Sequence, residues 1–153
     1  MGIGSNVEVF HVEKSLSCNA APYPYALSLH SATLIPTGIL VCGGGLVQPR
    51  SNGNKCYQYN KTTASWQTFP SMTFTRYWFD MIFLNEGIWA IGGFGGYPNA
   101  RSYDGLDTMD TFDFNTNVWT RHDIGMYVYN HCLSKISHDK LIIIGGFQQH
   151  MVS

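Results

Sequence analysis

Ile88-Trp89-Ala90-Ile91-Gly92-Gly93 decides the fold, because the same pattern recurs on both sides of it. Before it stands Ile39-Leu40-Val41-Cys42-Gly43-Gly44, and after it Leu141-Ile142-Ile143-Ile144-Gly145-Gly146. The first glycines are 92 − 43 = 49 and 145 − 92 = 53 residues apart. A second element recurs between them. Tyr57-Gln58-Tyr59-Asn60 matches Phe112-Asp113-Phe114-Asn115 at 112 − 57 = 55, and Trp66 and Trp119 follow. Phe10-His11-Val12-Glu13 fits the same slot near the start, with Cys18 near the tryptophan position. An apolar run ending in two glycines, repeated at this period, reads as a repeat of short strands.

Composition agrees with strands. The chain has 153 residues, of which 44 % are hydrophobic, 14 % aromatic and only 12 % charged. Few charges with many aromatics and glycines suit short strands and tight turns better than amphipathic helices. The net charge is −1 and no basic stripe exists, so nucleic acid is not an expected partner. The longest apolar runs are too short to span a bilayer, so no membrane association is expected. No basic segment followed by an apolar one opens the chain, so no signal peptide is read there.

The order of apolar strand, Gly-Gly, variable loop, aromatic strand, turn and Trp resembles the kelch motif over nearly the whole chain. The resemblance implies an all-β fold of kelch-type β-propeller blades, each a four-stranded antiparallel sheet. Turn signals at Pro36-Thr37-Gly38, Asn85-Glu86-Gly87 and His138-Asp139 separate the strands. The expected organisation is the outer half of a blade at 5–20, a first full blade at 25–69, a second at 75–121 and an inner half at 127–147. That is an incomplete ring of about three blades, fewer than known propellers have. Two explanations compete. The chain is a fragment of a larger propeller, or two copies close a six-bladed ring as a homodimer, each seam blade shared.

The function expected is a non-catalytic binding module that presents loops to a protein partner. The connections at 45–53, 69–77, 94–108 and 122–130 share one face in kelch propellers. They carry Arg50, Arg76, Tyr77, Tyr97, Arg101, Tyr103, Tyr127 and Tyr129, residue types enriched at binding hot spots. The bland alternative for each is an ordinary solvated loop residue. Kelch modules that bind acidic peptides carry an arginine in several blades. Here the positions 16 residues before Gly-Gly are Leu27, Arg76 and Tyr129 (76 = 92 − 16), so only one is arginine.

No catalytic, cofactor or metal residues are assigned. The histidines, His11, His30, His122, His131, His138 and His150, form no H-x-x-x-H pair. His30 and His131 are read as structural hydrogen-bonding residues near the channel. Gly92-Gly93-Phe94-Gly95-Gly96 lacks the following helix that a phosphate loop needs. The rival function is a fragment of a propeller enzyme resembling copper-radical oxidases, with its catalytic ligands outside this chain. Those enzymes need a cross-linked Tyr and Cys and two histidines from separate blades, a set that does not map here residue by residue.

Cys18, Cys42, Cys56 and Cys132 make no C-x-x-C pair. Buried free thiols are one reading. The other is a Cys42–Cys56 disulfide, since the two lie on consecutive antiparallel strands. The cysteine arrangement also resembles secreted kelch-repeat proteins of invertebrates, and Asn60-Lys61-Thr62 is an N-glycosylation sequon. These lean towards an extracellular setting for the parent protein, with a cytoplasmic one as the alternative.

Overall fold

The computed structural model describes residues 4–45, 52–98 and 104–150, without the side chains of 149 and 150. All its elements are strands. β1 (Glu8–His11) and β2 (Leu16–Asn19) form a leading hairpin. The first blade is the sheet β3 (Ser31–Ile35), β4 (Gly38–Cys42), β5 (Cys56–Asn60) and β6 (Ser65–Phe69) in sequential order. The second is β8 (Asp80–Leu84), β9 (Gly87–Ile91), β12 (Thr108–Asp113) and β13 (Val118–Asp123). β15 (Cys132–Ser137) and β16 (Lys140–Ile144) form a trailing hairpin. The described residues form no closed ring.

Short strands replace some of the expected loops. β7 (Thr75–Tyr77) pairs with β10 (Phe94–Gly96), which pairs with β11 (Asp104–Gly105). β14 (Met126–Tyr129) pairs with β17 (Phe147–His150). The backbone N–H and C=O groups of these connections find partners in each other. Gly95 and Gly96 give β10 no alternation by which to recognise it.

The blades stack through alternate faces of their strands. Leu40 and Cys42 of the first blade meet Met81, Ile88, Ala90, Phe112 and Trp119 of the second in one buried cluster. Ile39 and Val41 face the other way, and Val41 joins Tyr23, Leu27, Tyr25, Tyr57 and Trp66. Trp66 and Trp119 each stitch their blade to the connection that precedes it. Trp66 Nε1 donates to the Ala21 carbonyl at 2.9 Å, and Trp119 Nε1 to the Pro70 carbonyl at 2.8 Å.

The register corrects the aromatic alignment. Tyr59 lies opposite Ile39 and Trp66, as Phe112 lies opposite Ile88 and Trp119. The structural offset is therefore 112 − 59 = 53, two residues less than Tyr57 against Phe112 gives. A strand repeats itself every two residues, so Tyr-x-Tyr and Phe-x-Phe superpose equally well after sliding one pleat. The Gly-Gly distance slips too. Gly44 N–H donates to the Arg76 carbonyl and Gly93 N–H to the Val128 carbonyl, so the third equivalent of Leu27 and Arg76 is Val128, not Tyr129. A one-residue shift turns the side chain to the other face: Val128 is buried and Tyr129 is not.

Main-chain bonds clasp the blades where the first strands begin. Trp78 N–H donates to the Leu29 carbonyl at 3.2 Å, and Asn130 N–H to the Trp78 carbonyl at 2.6 Å. Leu29, Trp78 and Asn130 all have positive φ, 58°, 55° and 56°. That conformation costs about 1–2 kcal/mol for a non-glycine residue and recurs here at one repeat position. The second glycines bond in the opposite sense, Gly44 to Arg76 at 2.8 Å and Gly93 to Val128 at 2.7 Å. The first glycine must be glycine for a steric reason as well as for its φ of 68°. A Cβ on Gly43 would sit 2.5 Å from the Arg76 carbonyl oxygen.

Candidate binding face

Antiparallel connections alternate between the two ends of a blade. The β3–β4 and β5–β6 turns lie at one end, and the entries β7 and β14 and the exits β10 and β17 at the other. At this second end the same cross-strand pair appears twice: Tyr77 opposite Phe94 in β7–β10, and Tyr129 opposite Phe147 in β14–β17. Their ring centroids are 5.5 Å and 5.1 Å apart. Trp78 links the two pairs, 6.2 Å from Phe94 and 6.5 Å from Tyr129, and Phe94 lies 6.1 Å from Tyr129. The five rings form a continuous ladder across two blade positions. Its surface reaches solvent: Trp78 is 37 % exposed and Phe147 63 %. Tyr127 lies beside it, close enough that a Cβ on Gly105 would touch both its ring and that of Tyr129.

Phe94 and Phe147 carry a signal in the sequence, whereas Trp78 carries none. Phe follows Gly-Gly directly in the second and third repeats, and Tyr stands 17 and 18 residues before it (94 − 77, 147 − 129). In the first blade the equivalents of Tyr77 and Phe94 are Ser28 and Gly45, so the ladder does not extend there.

Tyr97 belongs to a separate group. It is 62 % exposed, its ring meets Phe74 edge-on at 4.6 Å, and its hydroxyl accepts from Arg121 at 3.0 Å. The Arg121 guanidinium also lies 4.8 Å from the Phe74 ring centre. Arg50, Arg101 and Tyr103 lie outside the described residues.

Arg76 is placed differently from the expectation of a surface contact. It is fully buried and donates to the Gly92 carbonyl at 2.7 Å, the Thr108 carbonyl at 2.8 Å, Thr108 Oγ1 at 3.0 Å and Asp110 Oδ1 at 3.1 Å. Burial pushes its pKa down and the Asp110 carboxylate pulls it back up. Asp110, itself fully buried, also accepts from Thr73 N–H at 2.9 Å and the Thr73 hydroxyl at 2.7 Å. Arg76 Nε has no partner among the described residues, but the other bonds tie β7 to β12 and to the residue that follows β9, so this charge is committed within the fold where a partner contact was expected.

Two further sites bear on chemistry. Cys42 and Cys56 face each other across β4 and β5 and are joined by a disulfide, with Cα atoms 4.1 Å apart and both residues buried. Cys18 and Cys132 are free and exposed. His131 is buried at the start of β15, and neither ring nitrogen has a hydrogen-bond partner among the described residues, unlike the bonding role expected. Burial lowers its pKa, against an opposing pull from Asp80. Among the described residues no three His, Cys, Asp or Glu side chains converge as metal ligands would.

No protein-family profile matches the chain. It is similar to the human protein named "Kelch repeat and BTB domain-containing protein 12", 24 % identical over 122 residues and 74 % of this chain. The zebrafish (Danio rerio) protein of the same name is 25 % identical over 126 residues and 76 % of this chain. The chain spans about a fifth of each relative's length, 20 % in both cases. The interleaved repeat, the two four-stranded sheets and these likenesses agree in pointing to kelch-type repeats, to which the chain is similar over about three quarters of its length.

Proposed function

We propose that the chain is a non-catalytic binding module whose aromatic ladder, Tyr77, Trp78, Phe94, Tyr129 and Phe147, holds a protein partner. The observation that carries this reading is the repetition of one Tyr–Phe pair at the entry and exit of successive blades, partly open to solvent. Rigid aromatic surface on a fixed scaffold gives large contact area for little ordering cost, and such residues dominate interface energetics. Tyr127 flanks the ladder, and Tyr97, in its separate group, with Arg50, Arg101 and Tyr103, remain candidate contributors. A photo-crosslinking residue at Tyr129 should capture the partner, and the same residue at Thr62, at the other end of the blade, should not. Equal capture at both positions defeats the assignment. Stoichiometric copper or iron in the purified chain would instead favour the propeller-enzyme reading.

A second reading concerns the two hairpins. The leading hairpin exposes Phe10 and Leu16, the trailing one Ile142 and Ile144. A cavity of about 330 Å³ opens between the leading hairpin and the first blade, lined by Val7, Val9, Ile39, Val41 and Tyr59. If β16 of one copy paired with β1 of another, a four-stranded blade would result and that gap would be covered. Light scattering of the isolated chain distinguishes the outcomes: about twice 17.1 kDa supports a shared blade, and a monomer rejects it.

A further inference from the structure

Asn60 closes β5 and opens the turn to β6. Its Oδ1 accepts the backbone N–H of Thr62 at 2.8 Å and of Thr63 at 3.2 Å. Asp113 holds the same place in the second blade, 53 residues on, and its Oδ1 accepts the N–H of Asn115 at 2.8 Å. The turn therefore needs an acceptor oxygen, which Asp supplies as well as Asn. What Asn60 adds is an amide nitrogen, and Nδ2 has no partner among the described residues. Two residues on, the second blade has Asn115 but the first has Thr62, which completes the sequon Asn60-Lys61-Thr62. Lys61, Thr62, Thr63 and Ala64 are all exposed, so the turn is open to a bulky modification.

An independent feature of the same blade points to the same compartment. The buried Cys42–Cys56 disulfide belongs to an oxidising environment, and N-linked glycans are added on the secretory route that provides one. We propose that Asn60 is an N-glycosylation site. The donor is an oligosaccharide linked through C1 to a lipid diphosphate. A bond forms from Asn60 Nδ2 to C1, the C1–oxygen bond to the lipid diphosphate breaks, and the amide proton passes to a base of the transferase. The glycan projects from the turn end of the blade, opposite the aromatic ladder, and so leaves that face uncovered.

One digest reads both features. Trypsin cuts after Lys14, Arg50, Lys55 and Lys61, so without reduction the segments 15–50 and 56–61 remain joined through Cys42 and Cys56. In protein from its natural source this linked pair should carry the mass of an N-glycan. Amidase release in heavy-oxygen water should leave labelled Asp at position 60. The linked pair at its unmodified mass, or segment 56–61 recovered unmodified with a free thiol, overturns the proposal. In secreting cells Thr62→Ala should abolish the glycan and Thr62→Ser retain it, with melting temperatures verifying that both fold. A glycan that persists on Thr62→Ala also overturns it.

Discussion

The first and second blades turn the same repeat positions towards their preceding neighbours and fill them with opposite chemistry. In the first blade these positions hold Tyr23, Tyr25, Leu27 and Tyr57, three aromatic rings around a leucine, with Tyr23 5.5 Å from Tyr57 and 4.9 Å from Trp66. In the second they hold Met72, Phe74, Arg76 and Asp110, a buried ion pair. The hydrogen bonds fix the equivalence: Leu27 N–H donates to Gly4 as Arg76 N–H does to Gly53, and Tyr23 N–H to Ser5 as Met72 N–H does to Asn54. Even the backbone need differs. Asp110 accepts the Thr73 N–H, whereas the equivalent of Thr73 is Pro24, which has no N–H to satisfy. The scaffold thus specifies volume and a set of main-chain bonds, and either an apolar or an ionic set can meet the specification.

The largest effect is expected from breaking the ionic set on one side. Asp110→Ala leaves the Arg76 charge buried without its partner and should cost about 3–5 kcal/mol in urea unfolding. Importing the first blade's solution, Thr73→Pro with Arg76→Leu and Asp110→Tyr, should recover most of that loss. If the triple variant is as unstable as Asp110→Ala, the two sets are not interchangeable.

The disulfide offers the next test. It joins residues 14 apart, and reducing it should cost about 3 kcal/mol, the loop-closure scale for a cross-link of roughly that span. The second blade's equivalent pair is Ile91 opposite Met109. Ile91→Cys with Met109→Cys should therefore form a second bridge, seen as the loss of two titratable thiols. A design based on the 55-residue alignment would choose Thr111 instead and should fail to close.

Trp66→Phe and Trp119→Phe each remove one indole donor from a carbonyl, Ala21 or Pro70. Similar losses of about 1–2 kcal/mol are expected in thermal melts. Unequal losses would show that the two tryptophans are not doing the same job.

The smallest effect is a pH slope. His131 occupies the position that Phe79 fills in the second blade, and burial holds its folded pKa below the unfolded value. The unfolded chain then binds the proton more readily, so stability falls as pH drops below about 6.5 towards the lowered folded value. His131→Phe should make that slope shallower in denaturant titrations from pH 7.5 to 5. An unchanged slope would remove His131 as its source.

The strands and their turns were legible because Gly-Gly and the turn residues punctuate the chain at points only a few conformations satisfy. Pro36-Thr37-Gly38 and Asn85-Glu86-Gly87 fall where chains reverse into β4 and β9. Register was less legible, since alternation looks the same after a two-residue slide, and only cross-strand bonds separate Tyr59 from Tyr57 as the partner of Ile39. The candidate site was half visible. Tyr77 and Tyr129 were readable as loop aromatics, but their partners Phe94 and Phe147 lie on strands of three and four residues, too short to carry a period. Arg76 misled because an arginine in a connection is usually solvated, and its burial depends on Asp110, 34 residues further along the chain.

The clasp between blades near the first strands is written wholly in main-chain atoms. Leu29, Trp78 and Asn130 share one conformation and one bonding role while having nothing in common as side chains. The residues just before them in the first and second blades, Ser28 and Tyr77, differ as widely. Junction assembly and surface chemistry are thereby uncoupled at the mouth of the structure. Substitutions there can change the chemistry of the face without renegotiating how the blades join, so these positions are where a designed library would be best tolerated.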